Sequence, residues 1–83
     1  MDKKDHIERI CRNLADIRKT VEWTDENGIR RKGMTQVELA QRAGISQNHV
    51  ARIEAGTYNV GIGSIETVAQ TLGYTLQFTK KEL

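Results

Sequence analysis

Gln47, Asn48, Ala51 and Arg52 are the residues of this chain whose types and spacing point to a chemistry: two carboxamides, a methyl and a guanidinium. If Val50 and Ile53, three apart, turn inward on a helix, these four face outward. An ordinary surface helix is rich in Glu and Lys, and this face is not. A Gln or Asn side chain pairs with adenine through two hydrogen bonds in the major groove of DNA, and Arg pairs with guanine or with phosphate. Ala51 lets such a helix approach closely and offers its methyl to thymine. The competing reading is a capped helical hairpin with a polar face.

No other grouping supports a chemistry of its own. His6 and His49 are the only histidines, and neither has a carboxylate or Cys at metal-ligand spacing. Gly61-Ile62-Gly63 is too short for a dinucleotide loop and no strand precedes it. Ser and Asp occur without triad geometry. The expectation is no enzyme, no metal and no cofactor. His49 reads as a boundary-packing residue or a phosphate contact. Cys11, the single cysteine, forms no internal disulfide and reads as a small buried hydrophobe. A reducing cytoplasm fits, and neither a signal peptide nor a membrane-spanning apolar run is expected.

The elements that must position the outward face are legible on either side of it. Thr35 with Glu38 three residues later forms a capping-box pattern. Val37, Ala40 and Ala43 recur at helical spacing with Leu39 beside them, and Ala40 is small where a second helix crosses closely. Gly44 stands where a left-handed backbone ends the helix. Ile45 plugs the corner. Ser46 caps the next helix, Gln47 to about Ala55, and Gly56 ends it. Residues 35–56 are therefore two short helices joined by a tight turn, the layout of a helix-turn-helix.

This stretch resembles the lambda-repressor and Cro-like (XRE-type) helix-turn-helix family. The matching residues are Thr35-Gln36, Leu39-Ala40, Gly44-Ile45-Ser46, Val50, Ile53-Glu54 and Gly56, with the continuation 59–73 matching the following helix. The likeness covers about residues 34–73. It implies a mainly α, four-to-five-helix repressor-like DNA-binding domain spanning 1–83. It also implies that Gln36 binds a phosphate and braces Gln47, that Asn59 lies on the phosphate backbone, and that Arg18 pairs with Glu54 in a structural role. Two independent surface charges are the alternative for that pair. Residues and resemblance together give an expected interface of Gln36, Ser46, Gln47, Asn48, Ala51, Arg52, Tyr58 and Asn59 on double-stranded DNA. For Tyr58, packing is an equal alternative.

Around this core, Ile7, Ile10, Cys11, Leu14 and Ile17 mark a first helix over about Lys4–Thr20. Ile62, Ile65, Val68, Ala69 and Leu72 mark the core side of a fourth, which Gly73 ends. Two segments depart from the family. Residues 21–33 are longer than its usual link. Val21 and Trp23 alternate with polar residues and Asn27-Gly28 signals a turn, so a small hairpin over 21–32 is expected. Its Arg30, Arg31 and Lys32 either meet phosphate or form a solvated edge. Trp23 either packs the hairpin on the domain or binds a partner.

The second departure is the end of the chain. Tyr74, Leu76 and Phe78 alternate with Thr75, Gln77 and Thr79, which predicts a strand over 74–79. A lone strand needs a ladder partner. The candidates are the hairpin and the same strand of a second subunit, which would make these three residues a dimerisation edge. A repressor-like domain ending in such a strand is similar to Hip-type antitoxins; Hig-type antitoxins are a related comparison.

Net charge is +2 over 83 residues, with 37% hydrophobic and 29% charged residues. Residues 1–33 hold nine basic against seven acidic residues, and residues 34–83 hold four of each. The half expected to read DNA is thus nearly neutral, so a monomer should bind weakly with a modest salt dependence. These features together predict a homodimeric transcriptional regulator, a repressor on a palindromic operator. The alternative is an antitoxin that neutralises a protein toxin and regulates its own operon.

Overall fold

The computed structural model of the chain describes residues 3–56 and 60–82, with side chains from residue 6 onward. Four helices and one two-stranded sheet are present among the described residues: α1 Lys3–Thr20, β1 Glu22–Thr24, β2 Arg30–Lys32, α2 Gln36–Ala43, α3 Gln47–Glu54 and α4 Ile62–Thr71. The expected range of four to five helices resolves to four.

Along α1, Cys11, Leu14 and Ala15 are buried and Ile7 and Ile17 partly so. Arg18 completes this i, i+3, i+4, i+7 stripe, and it too is buried. Ile10 was expected on the stripe but is 42% exposed. It stands one residue, about 100° of helix, from Cys11 and so falls at the stripe's edge.

The hairpin forms antiparallel, with Glu22 opposite Lys32, Trp23 opposite Arg31 and Thr24 opposite Arg30. Asp25 closes its turn: one carboxylate oxygen accepts from the amides of Asn27 and Ile29, both at 2.9 Å, and the other from Arg31 Nε at 2.6 Å. Trp23 packs against the core cluster, donates to the Gly33 carbonyl at 2.7 Å, and lies 4.6 Å beneath the Arg42 guanidinium. Arg42 also donates to the Thr24 carbonyl at 2.8 Å. The hairpin is therefore docked on the side of α2.

The two central helices follow from their caps. Thr35 accepts from the Glu38 amide while the Glu38 side chain accepts from the Thr35 amide, a complete capping box. Gly44 ends α2 at φ 73°, and the Ile45 amide donates to the Ala40 carbonyl. Ser46 accepts from the His49 amide at 3.1 Å and starts α3. Leu39, Val50 and Ile53 are wholly buried, each contributing about 1.5–3 kcal/mol by leaving water. Val37 is nearly half exposed.

Ile65, Val68, Ala69 and Leu72 of α4 close the core. Ile62, expected with them, is 72% exposed because α4 begins there, one turn beyond the packed layer. The Tyr74 amide donates to the Ala69 carbonyl across Gly73 at φ 89°, ending the helix. Residues 74–82 carry no regular structure. The strand expected over 74–79 is thus not formed in the single chain. The sheet among the described residues holds only β1 and β2, and the tail lies beside α1 and α4, where Leu76 and Phe78 line a groove with Ile7 and Ile62, so it has no ladder in its own chain.

Candidate nucleic-acid interface

The first turn of α3 is the centre of the candidate surface. Gln47 and Asn48 are exposed there, and Arg52 is exposed one turn on. Ala51 is only half exposed, lying between this face and the buried side of Val50. No acidic side chain stands in that first turn, so the positive end of the helix is open to an approaching phosphate. Ser46 is spent on the cap, its oxygen accepting from His49 N. His49 points away from this face: its Nε2 is 3.1 Å from Ser64 Oγ, tying α3 to α4. That link between residues fifteen apart has no local signature in the sequence.

Beneath α3 lies a buried polar cluster. The Glu54 carboxylate accepts from Arg18 Nε at 2.5 Å, Arg18 Nη2 at 3.1 Å and Gln36 Nε2 at 3.0 Å. Arg18 Nη1 donates to the Met34 carbonyl at 2.7 Å. The Arg18 and Glu54 side chains are only 11% and 9% exposed, so the pair is a fixed interior contact, not two surface charges. It joins the end of α1, the entry to α2 and the end of α3.

Gln36 belongs to this cluster. The resemblance implies that it braces Gln47; in the chain alone its Nε2 donates to Glu54 at 3.0 Å. The Glu54 carboxylate, held against Arg18, is a stronger acceptor than an exposed amide and takes the donor. Tyr58 and Asn59 lie outside the described residues. Tyr74, Leu76 and Phe78 are exposed and remote in sequence from α3.

The hairpin's positive charge is largely matched within the hairpin. Arg31 is bound to Asp25, and Arg30 Nη2 is 3.6 Å from Glu22. The Arg31 hydrogen bond, with help from the Ile29 and Asn27 amides, holds the Asp25 carboxyl below the usual carboxylate range. Burial raises the Cys11 thiol above its usual value, which keeps it in the neutral, unreactive form. Among the described residues no three His, Cys, Asp or Glu side chains gather to hold a metal ion. No helix among them is long and apolar enough to cross a membrane.

Comparison with known proteins agrees with this arrangement. A family model described as "Helix-turn-helix" matches residues 29–78. An uncharacterized HTH-type transcriptional regulator of Sinorhizobium fredii is 40% identical over 50 residues, covering 60% of this chain and 26% of that protein. An immunity repressor protein of Bacillus phage phi105 is 42% identical over 40 residues, covering 48% of this chain and 28% of that protein. The chain thus spans about a quarter of the length of these curated relatives. No solved structure gives a significant match. Capped α2, the Gly44 corner, α3 seated on Val50 and Ile53, and the matched segment together place the chain in the helix-turn-helix family, whose second helix is built to enter the major groove of DNA.

Proposed function

We propose that the chain is a sequence-specific DNA-binding transcriptional regulator, a repressor that acts as a homodimer on a palindromic operator. The observation that carries this reading is the exposed Gln47, Asn48 and Arg52 surface on a helix whose other side is locked by Val50, Ile53 and Glu54. Gln47 and Asn48 read base edges, and Arg52 takes guanine or phosphate. Ala51 sets the closeness of approach. Ser46 at the start of α3 and Gln36 at the start of α2 contact the phosphate backbone, with Tyr58 and Asn59 extending the phosphate contacts. Bound at a promoter, the dimer represses by occlusion. The near-neutral charge of residues 34–83 makes one subunit a weak binder, which is why two half-sites are needed. An antitoxin would use the same DNA face and a separate surface for its toxin.

Selection from random duplex DNA with the purified chain tests this. A palindromic consensus is expected. Gln47→Ala and Asn48→Ala should each weaken binding to it by about 1–3 kcal/mol and relax the base preference. Unchanged specificity in both variants would show that α3 is not the reading helix.

A further inference from the structure

Gln47 and Asn48 stand in the first turn of α3, at the end of the helix away from the Glu54 cluster. The eight residues of α3 rise about 12 Å, so a tilt of about 5° about the Glu54 end moves that turn by about 1 Å. A recognition group has to be held to within about 0.5 Å of its productive position. Val50 and Ile53 resist such a tilt from the buried side, but Gln47 and Asn48 are themselves exposed and give their turn no apolar anchor. His49 holds it instead. The His49 amide donates to Ser46 Oγ at 3.1 Å, and the ring Nε2 lies 3.1 Å from Ser64 Oγ. Ser64 belongs to the first turn of α4, so one side chain joins the starts of two helices. Both partners are half-buried, which shields the contact from competing water. The Ser64 hydroxyl can donate or accept and therefore satisfies either tautomer of the ring. The start of α4 depends on the contact as well: Gly61 supplies no side-chain cap, and Ile62 stands 72% exposed.

Resting on the DNA reading above, we infer that His49 and Ser64 are positioning residues for base recognition. Neither meets DNA; their hydrogen bond fixes the tilt at which α3 presents Gln47 and Asn48 to base edges. The helix is thereby pinned at both ends, by Glu54 to Arg18 and Gln36 and by His49 to α4. Phosphate contacts supply affinity without sequence information, and base contacts supply specificity. Loss of the His49–Ser64 contact therefore lowers affinity for the selected sequence and leaves affinity for an unrelated duplex as it was.

The test measures binding of the full chain to its selected duplex and to a scrambled duplex of equal length, at one salt concentration. His49→Ala and Ser64→Ala should each lower the ratio of the two affinities about 10-fold, within the range of one misaimed base contact. Binding to the scrambled duplex and the circular dichroism spectrum should not change. The double variant should lose no more than either single one, because both remove the same contact. Ser64→Thr keeps the hydroxyl and should restore the ratio. An unchanged ratio in both single variants, or a double variant that loses the product of their effects, would overturn the positioning role. So would a loss confined to His49→Ala and equal on both duplexes, which would make His49 a phosphate contact. Gln47→Ala and Asn48→Ala separate this from the underlying reading. Full specificity in both refutes α3 as the reading helix, and the role of His49 with it. A loss there with none in His49→Ala and Ser64→Ala refutes the role of His49 alone.

Discussion

Replacing Glu54 with alanine probes the joint on which the proposed reading helix rests. The carboxylate accepts three hydrogen bonds, two from Arg18 and one from Gln36. Its removal leaves the buried Arg18 guanidinium with the Met34 carbonyl as its remaining partner among the contacts described. Stranding one member of a buried pair costs about 3–5 kcal/mol. A domain of this size has about 4–12 kcal/mol in all. At about 4–8 °C per kcal/mol, even the lower cost lowers the melting temperature by about 12–24 °C. Urea and thermal unfolding followed by circular dichroism read this directly. The double variant Arg18→Met, Glu54→Met separates stability from positioning. It swaps a desolvated ion pair for apolar contact and should recover most of the loss. Gln36 then has no acceptor at Glu54, so affinity for the selected DNA should stay reduced in a chain that folds well. A Glu54→Ala loss below about 1 kcal/mol would refute the reasoning, because it would put the pair in the range of solvent-screened surface bridges.

Two further outcomes follow from local geometry. Gly44 and Gly56 share a left-handed backbone, φ 73° and 68°, but a Cβ at Gly44 meets nothing within 4 Å while one at Gly56 would stand 2.8 Å from Glu8 Cα. Gly44→Ala should cost about 1–2 kcal/mol for the backbone alone, and Gly56→Ala about 1–3 kcal/mol more because α1 must move; equal losses in urea unfolding would contradict the close contact. Acid should loosen the hairpin and the start of α2. The Asp25 carboxyl is lowered first by Arg31, and that of Glu38 first by the Thr35 amide. Both therefore stabilise the fold above the ordinary carboxylate range, around pH 4, and that contribution is lost as pH falls through their lower folded values. Trp23, the only tryptophan, reports the hairpin by fluorescence, and a signal unchanged from neutral pH to well below this range would contradict the assignment.

What the sequence discloses about this fold is what is decided locally. Thr35, Glu38, Gly44 and Ser46 act within four residues of themselves, so caps and corner can be read from their order. Asn27-Gly28 likewise marks the hairpin turn, although the side chain that closes it is Asp25. Contacts between distant residues leave no such mark. Arg18 and Glu54 are 36 apart, and their pairing was expected only from the family likeness. The same likeness gave no sign that Gln36 donates to Glu54, because it carries no information on which acceptor is buried beside that amide. Alternation in 74–79 shows that the segment suits a strand, but a strand exists only where another edge meets it, and that lies outside the segment. Ile62 and Ile10 show the limit of helical spacing: it gives a direction around the axis and not how far along it the partner helices reach.

The closure of the hairpin carries one more consequence. Gly33 donates to the Val21 carbonyl at 2.7 Å, and Met34 donates to the Arg18 carbonyl at 2.9 Å. A Cβ on Gly33 would press to 2.7 Å from the Lys19 carbonyl. Departure and return points of the chain are thus clasped at the end of α1, which fixes where the chain enters α2. Residues 22–32 are thereby held twice, by the clasp at their two ends and by Trp23 and Thr24 against Arg42, so the hairpin braces α2 and is no free loop.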